Sequence, residues 1–422
     1  MTSTKKIRAG ALQFVLFIGA IVAILLLSFV LVSYSHNLFL KKTDVWVEVI
    51  QAADSGLERS FDQDMNAGAT FEVPVMNDSG ISVSVEKEYW GVLEIRKVKS
   101  EKGKMGFEKW AFVGHADEKR YALYLQDHQR PLVLAGNTKI TGTAFLPEKG
   151  VKMGNIYGNS YYAPKLIYGE KRQSQASLPV FDPEIREQIE KLTSPIVVPK
   201  GEEIILKKGM VHKHSFKKPT QIIKGTHIQL EQVALSGNIM VWASDKIMVG
   251  ALSKLHDVLL VAPHIEIEKG FLGNLQALAS ESITVGEGCQ LGYPTVLWVH
   301  QEIMGDPPQN DIHPNIMVDS YAHVRGVVIF QSKGGEANRF KPHVKIDENA
   351  KVVGEVYCSE NLELKGSVHG SVTTGGFVAL ENGNSYQNHL YNGSINSSLL
   401  PMKYAGIEFE GKPINQVTKW LY

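Results

Sequence analysis

Two eleven-residue segments of this chain align without a gap: VDSYAHVRGVV at 318–328 and IDENAKVVGEV at 346–356. Both begin with an apolar residue, and both then place alanine, valine, glycine and valine at the same positions. Such self-similarity indicates a repeated structural unit, because a unit that cannot bury its apolar face alone is covered by its neighbour. The sequence therefore predicts a stack of similar units in the C-terminal half.

Apolar pairs of the form Ile-x-Val recur at a nearly constant interval around these segments. The residues that begin such pairs are Ile228, Ile247, Ile265, Ile283, Val344 and Leu362. This period predicts a β-solenoid, or β-helix, with coils of about 18 residues over 195–390. Because strand side chains alternate between faces, Ile265 and Ile283 are expected to point into the stack, and Glu266 and Thr284 outward. An ordinary β-sandwich with accidental spacing is the alternative.

The segments on either side of the solenoid also have β patterns. Alternating apolar residues between turn clusters predict an antiparallel β domain over 67–130, in which 121–125 is one strand. Residues 131–181 are predicted to form earlier coils of the solenoid, and 391–422 a C-terminal cap. The expected fold class is mainly β.

A helix is predicted to interrupt the β structure at 182–194. Asp182 is a favourable N-cap, and Pro183 is tolerated at the first helical position. Ile185, Ile189 and Leu192 then form one apolar stripe. The helix is therefore expected to pack on a neighbouring surface through this stripe.

The N-terminal region contains an apolar stretch without a charged residue, from Ala11 to Tyr34. About 20 apolar residues span a bilayer, so 11–35 is predicted to be a transmembrane helix behind a basic leader at 1–10. Cations flank the stretch on both sides, and most of the 422 residues follow it, which favours a single span with a cytoplasmic N-terminus. A cleaved secretory signal is the alternative, although its apolar core is usually shorter, about 7–15 residues.

An amphipathic helix is predicted to continue the span over 36–66, since no proline occurs between Met1 and Phe61. The apolar residues that follow one helical stripe there are Trp46, Val49, Ile50, Ala53, Leu57 and Phe61. This stripe is the candidate surface for packing against a partner helix. The alternative is a juxtamembrane helix that packs on the rest of the same chain.

The leader that ends in Gly10, the following Ala11 and Leu12, and the run QAADSGLE at 51–58 resemble the N-terminus of type IV pilins and of minor, tip-type pseudopilins of type II secretion. The resemblance implies cleavage by a prepilin peptidase between Gly10 and Ala11. It also implies insertion in the bacterial inner membrane, an ectodomain on the periplasmic or extracellular side, and other pilin-like subunits or further copies as partners. Most members carry glutamate at the fifth mature position, where this chain has Val15.

The C-terminal half resembles bactofilin-type, polymer-forming β-helical domains in its recurring Ile-x-Val and Gly-x-Val patterns. It departs from them in length and in two insertions, 305–314 and 331–341. The resemblance implies the β-helical fold and a tendency to stack, and it does not by itself imply a filament.

The composition gives little support for chemistry or for nucleic-acid binding. The chain has 44 basic and 44 acidic residues, so net charge does not favour a polyanion. Its two cysteines, Cys289 and Cys358, are expected as separate buried thiols rather than a disulfide. Phosphate loops, nucleophile elbows and HExxH motifs do not occur. No cofactor, metal or small-molecule substrate is predicted.

β-Helices also carry enzymes, so candidate catalytic residues need to be considered. A histidine base facing a groove could serve acyl transfer, and His264, His323 and His343 are candidates by residue type. Asp306, Asp311 and His313 share one insertion and could form a carboxylate or metal cluster, although such residues are also usual in loops. We expect a non-enzymatic, pilin-like envelope protein that acts in assembly of a secretion or pilus-like complex. A membrane-tethered scaffold and an envelope carbohydrate-active enzyme are the alternatives.

Overall fold

The computed structural model describes residues 9–74, 80–116, 120–303, 313–334, 338, 340–407, 409 and 414–421. These residues are mainly β-strands with one long apolar helix at the N-terminus, which confirms the predicted fold class at this level. The chain divides into two compact units. The first consists of Met1–Ser60, Thr70–Val85 and Val98–Lys109, and the second of Phe61–Ala69, Glu86–Lys97 and Trp110–Tyr422.

The N-terminal helix, α1, runs unbroken from Ala9 to Ser60. Its 52 residues give a length of about 78 Å at 1.5 Å per residue. The prediction that the apolar span continues into a second helical segment is therefore correct. The predicted end at residue 66 is too late, because aspartate, asparagine and glycine in 62–68 favour turns over helix.

A five-stranded sheet follows α1 in the chain. Its strands, in spatial order, are Thr70–Glu72, Ser82–Trp90, Leu93–Lys102, Met105–Ala116 and Ile414–Leu421. Two-residue turns join the second, third and fourth strands, which makes these neighbours antiparallel. The last strand pairs antiparallel with 110–116 and comes from the region predicted to be a C-terminal cap. The prediction of a cap is wrong for 414–421, because the local sequence does not indicate a strand partner that lies so far away in the chain.

Most of the second unit is one large sheet that closes on itself. Its strands are Tyr121–Leu125, Lys139–Thr141, Thr143–Leu146, Lys171–Gln173, Glu202–Glu203, Val211–His214, Gln221–Leu230, Ala234–Gly237, Ile239–Val249, Lys254–Ile267, Leu272–Val285, Gln290–Glu302, Ile316–Val318, His323–Lys333, Val344–Ile346, Lys351–Leu364, Ser367–Glu381, Asn384–Gln387 and Ser394–Asn396. Among the described residues, the strand pairs of this sheet are parallel, except for an antiparallel hairpin between Ser367–Glu381 and Asn384–Gln387.

Two smaller sheets, a 3-10 turn and the inserted helix at 183–193 complete the described structure. Leu132–Ala135 pairs in parallel with Val151–Met153 and His389–Tyr391, and Asn155–Ile156 forms a hairpin with Asn159–Ser160. A 3-10 turn spans Ser397–Leu399.

The repeated isoleucines occupy one row of the large sheet. Residues directly opposite one another on successive strands are Ile228, Ile247, Ile265, Ile283, Ile316, Val344 and Leu362. Every member is buried. Glu266 and Thr284 also lie opposite each other, and both are partly exposed. The alternation expected from the sequence therefore holds at these four positions.

The order of strands in space differs from their order in the chain. Tyr121–Leu125 pairs in parallel with Thr143–Leu146 and with 372–374, so it belongs to the large sheet rather than to the predicted antiparallel domain. Lys139–Thr141 pairs with Ser394–Asn396. Strands from the segment that precedes the helix at 182–194 thus belong to the large sheet, where they pair with Ser367–Glu381 and Ser394–Asn396.

The inserted helix, α2, spans Pro183–Thr193, which confirms the sequence-based prediction. The Asp182 carboxylate accepts a hydrogen bond from the Glu184 N–H at 2.8 Å and caps the helix. Ile185 and Ile189 are buried. They join a core cluster that includes Phe181, Leu259, Leu278 and Trp298 on the outer side of the large sheet.

Candidate functional site

The first half of α1 presents an extended apolar surface. Its large apolar side chains between Leu12 and Leu40 are 39–69% exposed. The helix is long and apolar enough to cross a membrane, with a mean hydropathy of 3.2 in its most apolar window. Thirty residues extend about 45 Å, more than the roughly 30 Å of a bilayer's hydrocarbon core. An exposed apolar surface of this size is typical of sites that contact a membrane or another protein.

The last part of α1 is covered by strands of the same unit. Val49, Ala53 and Leu57 are at most 3% exposed. The later segments of this unit contribute four buried valines, of which Val83, Val85 and Val98 lie in strands and Val73 follows the strand Thr70–Glu72. The Ser100 hydroxyl donates a 2.6 Å hydrogen bond to the Val49 carbonyl and fixes the helix against its strand.

Small residues in the run at 51–58 allow this close packing. A side chain at Gly56 would overlap the Val83 methyl group and reach 3.7 Å from Val73. Two ion pairs lie on the same part of the helix, Glu48 with Lys102 and Asp54 with Lys109, each at 2.6 Å. Both pairs are partly exposed, so each contributes at most about 1 kcal/mol. Packing of the small residues therefore dominates this contact.

The predicted helix-packing stripe divides into three parts in the structure. Val49, Ala53 and Leu57 are buried within their own unit, which is the alternative left open by the sequence, so they are not available to a partner helix. Trp46 and Ile50 are 41% and 37% exposed. Phe61 lies beyond the end of α1, and the Arg96 guanidinium lies 5.2 Å from its ring centre. The surface open to other helices is therefore the segment from Leu12 to Ile50, excluding the buried side.

The predicted processing residues lie at the very start of α1. Gly10 and Ala11 are in its first turn and are exposed, and Val15 is 66% exposed. The basic leader residues Lys5, Lys6 and Arg8 lie outside the described residues.

The three candidate histidines do not come together. His264 is exposed and its Nδ1 lies 2.9 Å from the Ser282 hydroxyl. His343 is buried beside the Phe330 ring, 4.9 Å away between centres. Two strands separate these two residues, since His264 is opposite Ser282 and the row continues through Asn315 to His343. His323 lies elsewhere, beside Arg325 and Lys351.

The two cysteines are free and buried, which confirms the expectation of separate thiols. Burial raises the pKa of both, so neither is a thiolate at neutral pH. In the proposed metal cluster, Asp306 and Asp311 lie outside the described residues. Among the residues that the structure does describe, no group of three or more His, Cys, Asp or Glu side chains is arranged to hold a metal ion.

A charged cluster in the second unit was not predicted from the sequence. Glu184 on α2 accepts from the Ala67 N–H at 2.8 Å, lies 2.8 Å from the Lys87 ammonium, and accepts from the Tyr89 hydroxyl at 3.2 Å. Partial burial by itself raises the pKa of Glu184, but Lys87 and these hydrogen bonds hold it below its usual value. These residues are far apart in the chain, so no sequence pattern relates them.

Comparison with protein-family models, with curated proteins and with solved structures gives no match to this chain.

Proposed function

We propose that this chain is a non-enzymatic, single-pass, pilin-like envelope protein whose ectodomain is a rigid β-solenoid head. The proposal rests on the difference in side-chain exposure between the first and last parts of α1. The same unbroken helix is apolar and largely exposed from Leu12 to Leu40, and its own strands cover one side of it from Val49 onward. A helix built in this way has one half for lipid and neighbouring helices and one half that anchors it to a folded domain.

The exposed half suits a helix bundle in the inner membrane. It contains no charged residue from Ala11 to Leu40, so no charge has to be buried when helices associate. Gly19, Ala20 and Ala23 place small residues where another backbone can approach closely. Partners in this proposal are other pilin-like helices, and the N-terminus lies in the cytoplasm.

The register of the large sheet supports a solenoid for the head. Ile247, Ile265 and Ile283 lie at equal intervals in the chain and are partners on parallel strands. Only four residues separate Lys254–Ile267 from Leu272–Val285, although the two strands are parallel partners. A parallel pair needs a long crossover, so in this proposal the long strands themselves bend around each coil to provide it. Coils of one constant length explain both the equal intervals between these isoleucines and their parallel pairing.

The second hypothesis is a bactofilin-like scaffold that grows by end-to-end stacking. Charge at the two ends of the proposed solenoid argues against it. One end, formed around Val211–His214, has six lysines and two glutamates over 200–218. The other end, around Lys171–Gln173, has five basic and two acidic residues over 148–173. Cations at edge strands oppose pairing with another copy, so single heads are favoured.

The third hypothesis, a carbohydrate-active enzyme, requires converging carboxylates or histidines on one face. In the described part of the chain, His264, His323 and His343 lie apart, and His343 is buried. These observations favour the structural role.

N-terminal processing tests the pilin-like hypothesis. We expect protein purified from its native host to begin at Ala11, because the prepilin peptidase would cut after Gly10. Edman sequencing or intact-mass measurement gives the N-terminus, and Gly10→Leu is expected to block the cut while leaving the ectodomain folded. A native protein that begins at Met1 or Thr2 would leave the tethered scaffold as the better hypothesis.

Photo-crosslinking tests the position of the subunit in an assembly. A photoreactive residue at Leu26, which is 61% exposed, should capture other pilin-like helices at low copy number, because Val15 lacks the glutamate that most members carry. The same probe at Val49, which is fully buried, is the control and should capture no other chain. Long ladders of self-crosslinks from Leu26 would instead indicate a homopolymer.

A further inference from the structure

Four side chains that can carry positive charge lie together on the outer face of the large sheet. They are His323 and Arg325 on one strand, Lys351 on the next, and His369 on the one after. The neighbouring residues Val324, Val352 and Val368 are buried, which turns the four polar side chains outward. We call these four residues the cationic patch.

The register gives the dimensions of the cationic patch. His323 is directly opposite Lys351, and the residue opposite His369 on the Lys351 strand is Val353. Neighbouring strands are about 4.8 Å apart, and residues two apart on one strand are about 7 Å apart. The four side chains therefore surround an area of about 7 by 10 Å, with the Ser367 hydroxyl beside Lys351 at its edge.

Among the described residues, no acidic side chain forms an ion pair within the patch. In the part of the chain that the structure describes, neither Arg325 nor Lys351 has an ion pair with a carboxylate. Glu355, further along the Lys351 strand, lies instead against the backbone of Gly406. The neighbouring strand opposite His323 contributes the neutral Gln290, and the one opposite Ser367 contributes Ser394.

The environment of the patch lowers the pKa of both histidines. Burial first, and then Lys351 and Arg325, lower the pKa of His323. Burial, Lys351 and His323 lower the pKa of His369 in the same way. Both imidazoles are therefore mainly neutral at pH 7 in the free protein, and an anion bound between them would favour their protonated forms.

We propose that the cationic patch binds a phosphorylated ligand. A phosphate group carries up to two negative charges and three acceptor oxygens, which matches converging guanidinium, ammonium, imidazole and hydroxyl donors within one small area. A carboxylate carries one charge and would leave most of these donors unused. The site lies on the head and is independent of how α1 assembles.

Binding of inorganic tripolyphosphate to the full-length protein in a nonionic detergent tests the proposal by calorimetry. The double variant R325Q/K351Q should bind at least about tenfold more weakly, because two charge-assisted contacts are lost. K254Q is the matched control: Lys254 is exposed on the same sheet, outside the patch, and its loss should leave the affinity unchanged. Unchanged melting temperatures would show that both variants are folded.

Two further measurements identify the chemistry and the source of the ligand. The ratio of wild-type affinity to that of H323Q/H369Q should rise as the pH falls from 8 to 5.5, because only the wild type gains imidazolium donors. Competition by phosphatidylglycerol in the micelles would assign the phosphate to a lipid headgroup, and lack of competition to a soluble phosphorylated ligand. Equal binding of polyglutamate, or equal affinity of R325Q/K351Q and wild type for tripolyphosphate, would overturn the proposal.

Discussion

Ile283→Asp is expected to prevent the large sheet from folding, and Ile283→Ala to lower the free energy of unfolding by about 2–5 kcal/mol. Ile283 is fully buried between Ile265 and Ile316 on the neighbouring strands. Alanine leaves a cavity in this row, whereas aspartate buries a charge without a partner, which costs considerably more. Thermal or denaturant unfolding of the full-length protein measures the effect.

Thr284 provides the matched control for Ile283. It is the next residue on the same strand, is partly exposed and points to the other face. Thr284→Ala is expected to change stability by no more than about 0.5 kcal/mol. Similar losses at Ile283 and Thr284 would show that the register, and with it the solenoid, is incorrect.

Gly354→Ala is expected to destabilise the second unit by more than about 4 kcal/mol, at the upper end for single substitutions. Gly326, Gly354 and Gly370 lie opposite one another on three successive strands. At Gly354, φ is +148°, and an added Cβ would overlap the Gly326 carbonyl oxygen. That atom belongs to the backbone, so no side-chain rotation can relieve the overlap and the strands would have to separate.

Gly288→Ala is the control for Gly354→Ala, because it measures the cost of the backbone conformation without a steric overlap. Gly288 also has a positive φ, +70°, but nothing lies within 4 Å of an added Cβ. The cost there is the left-handed conformation alone, about 1–2 kcal/mol. Melting of the two variants under the same conditions gives the difference, and equal losses would contradict the close approach of the three strands.

The structure also changes which part of α1 is available for assembly. The run at 51–58 carries the resemblance to pseudopilins, yet its Ala53 and Leu57 pack within their own unit. If α1 assembles with other helices as proposed, their contacts are therefore expected mainly from the span before Lys41. The crosslinking probe belongs there, and Val49 serves as the buried reference.

Sequence alone determined the elements whose signals are local. An apolar stretch without proline predicts a continuous helix, and α1 runs from Ala9 to Ser60. Asp182 and Pro183 place the start of α2 to within one residue, because capping depends only on adjacent groups. The constant interval between apolar pairs identified the row through Ile265 and Ile283, since identical spacing in each unit brings equivalent residues opposite one another.

Tertiary structure alone decided which surfaces meet. An apolar residue indicates that a face is buried and does not indicate what covers it, so Val49 could be assigned to a partner helix or to its own strands. Strand partners far apart in the chain, such as Tyr121–Leu125 with 372–374 and Ile414–Leu421 with 110–116, are selected by the whole fold. The aligned segments 318–328 and 346–356 already place His323 opposite Lys351, but only the register of a third strand adds His369 to the cationic patch.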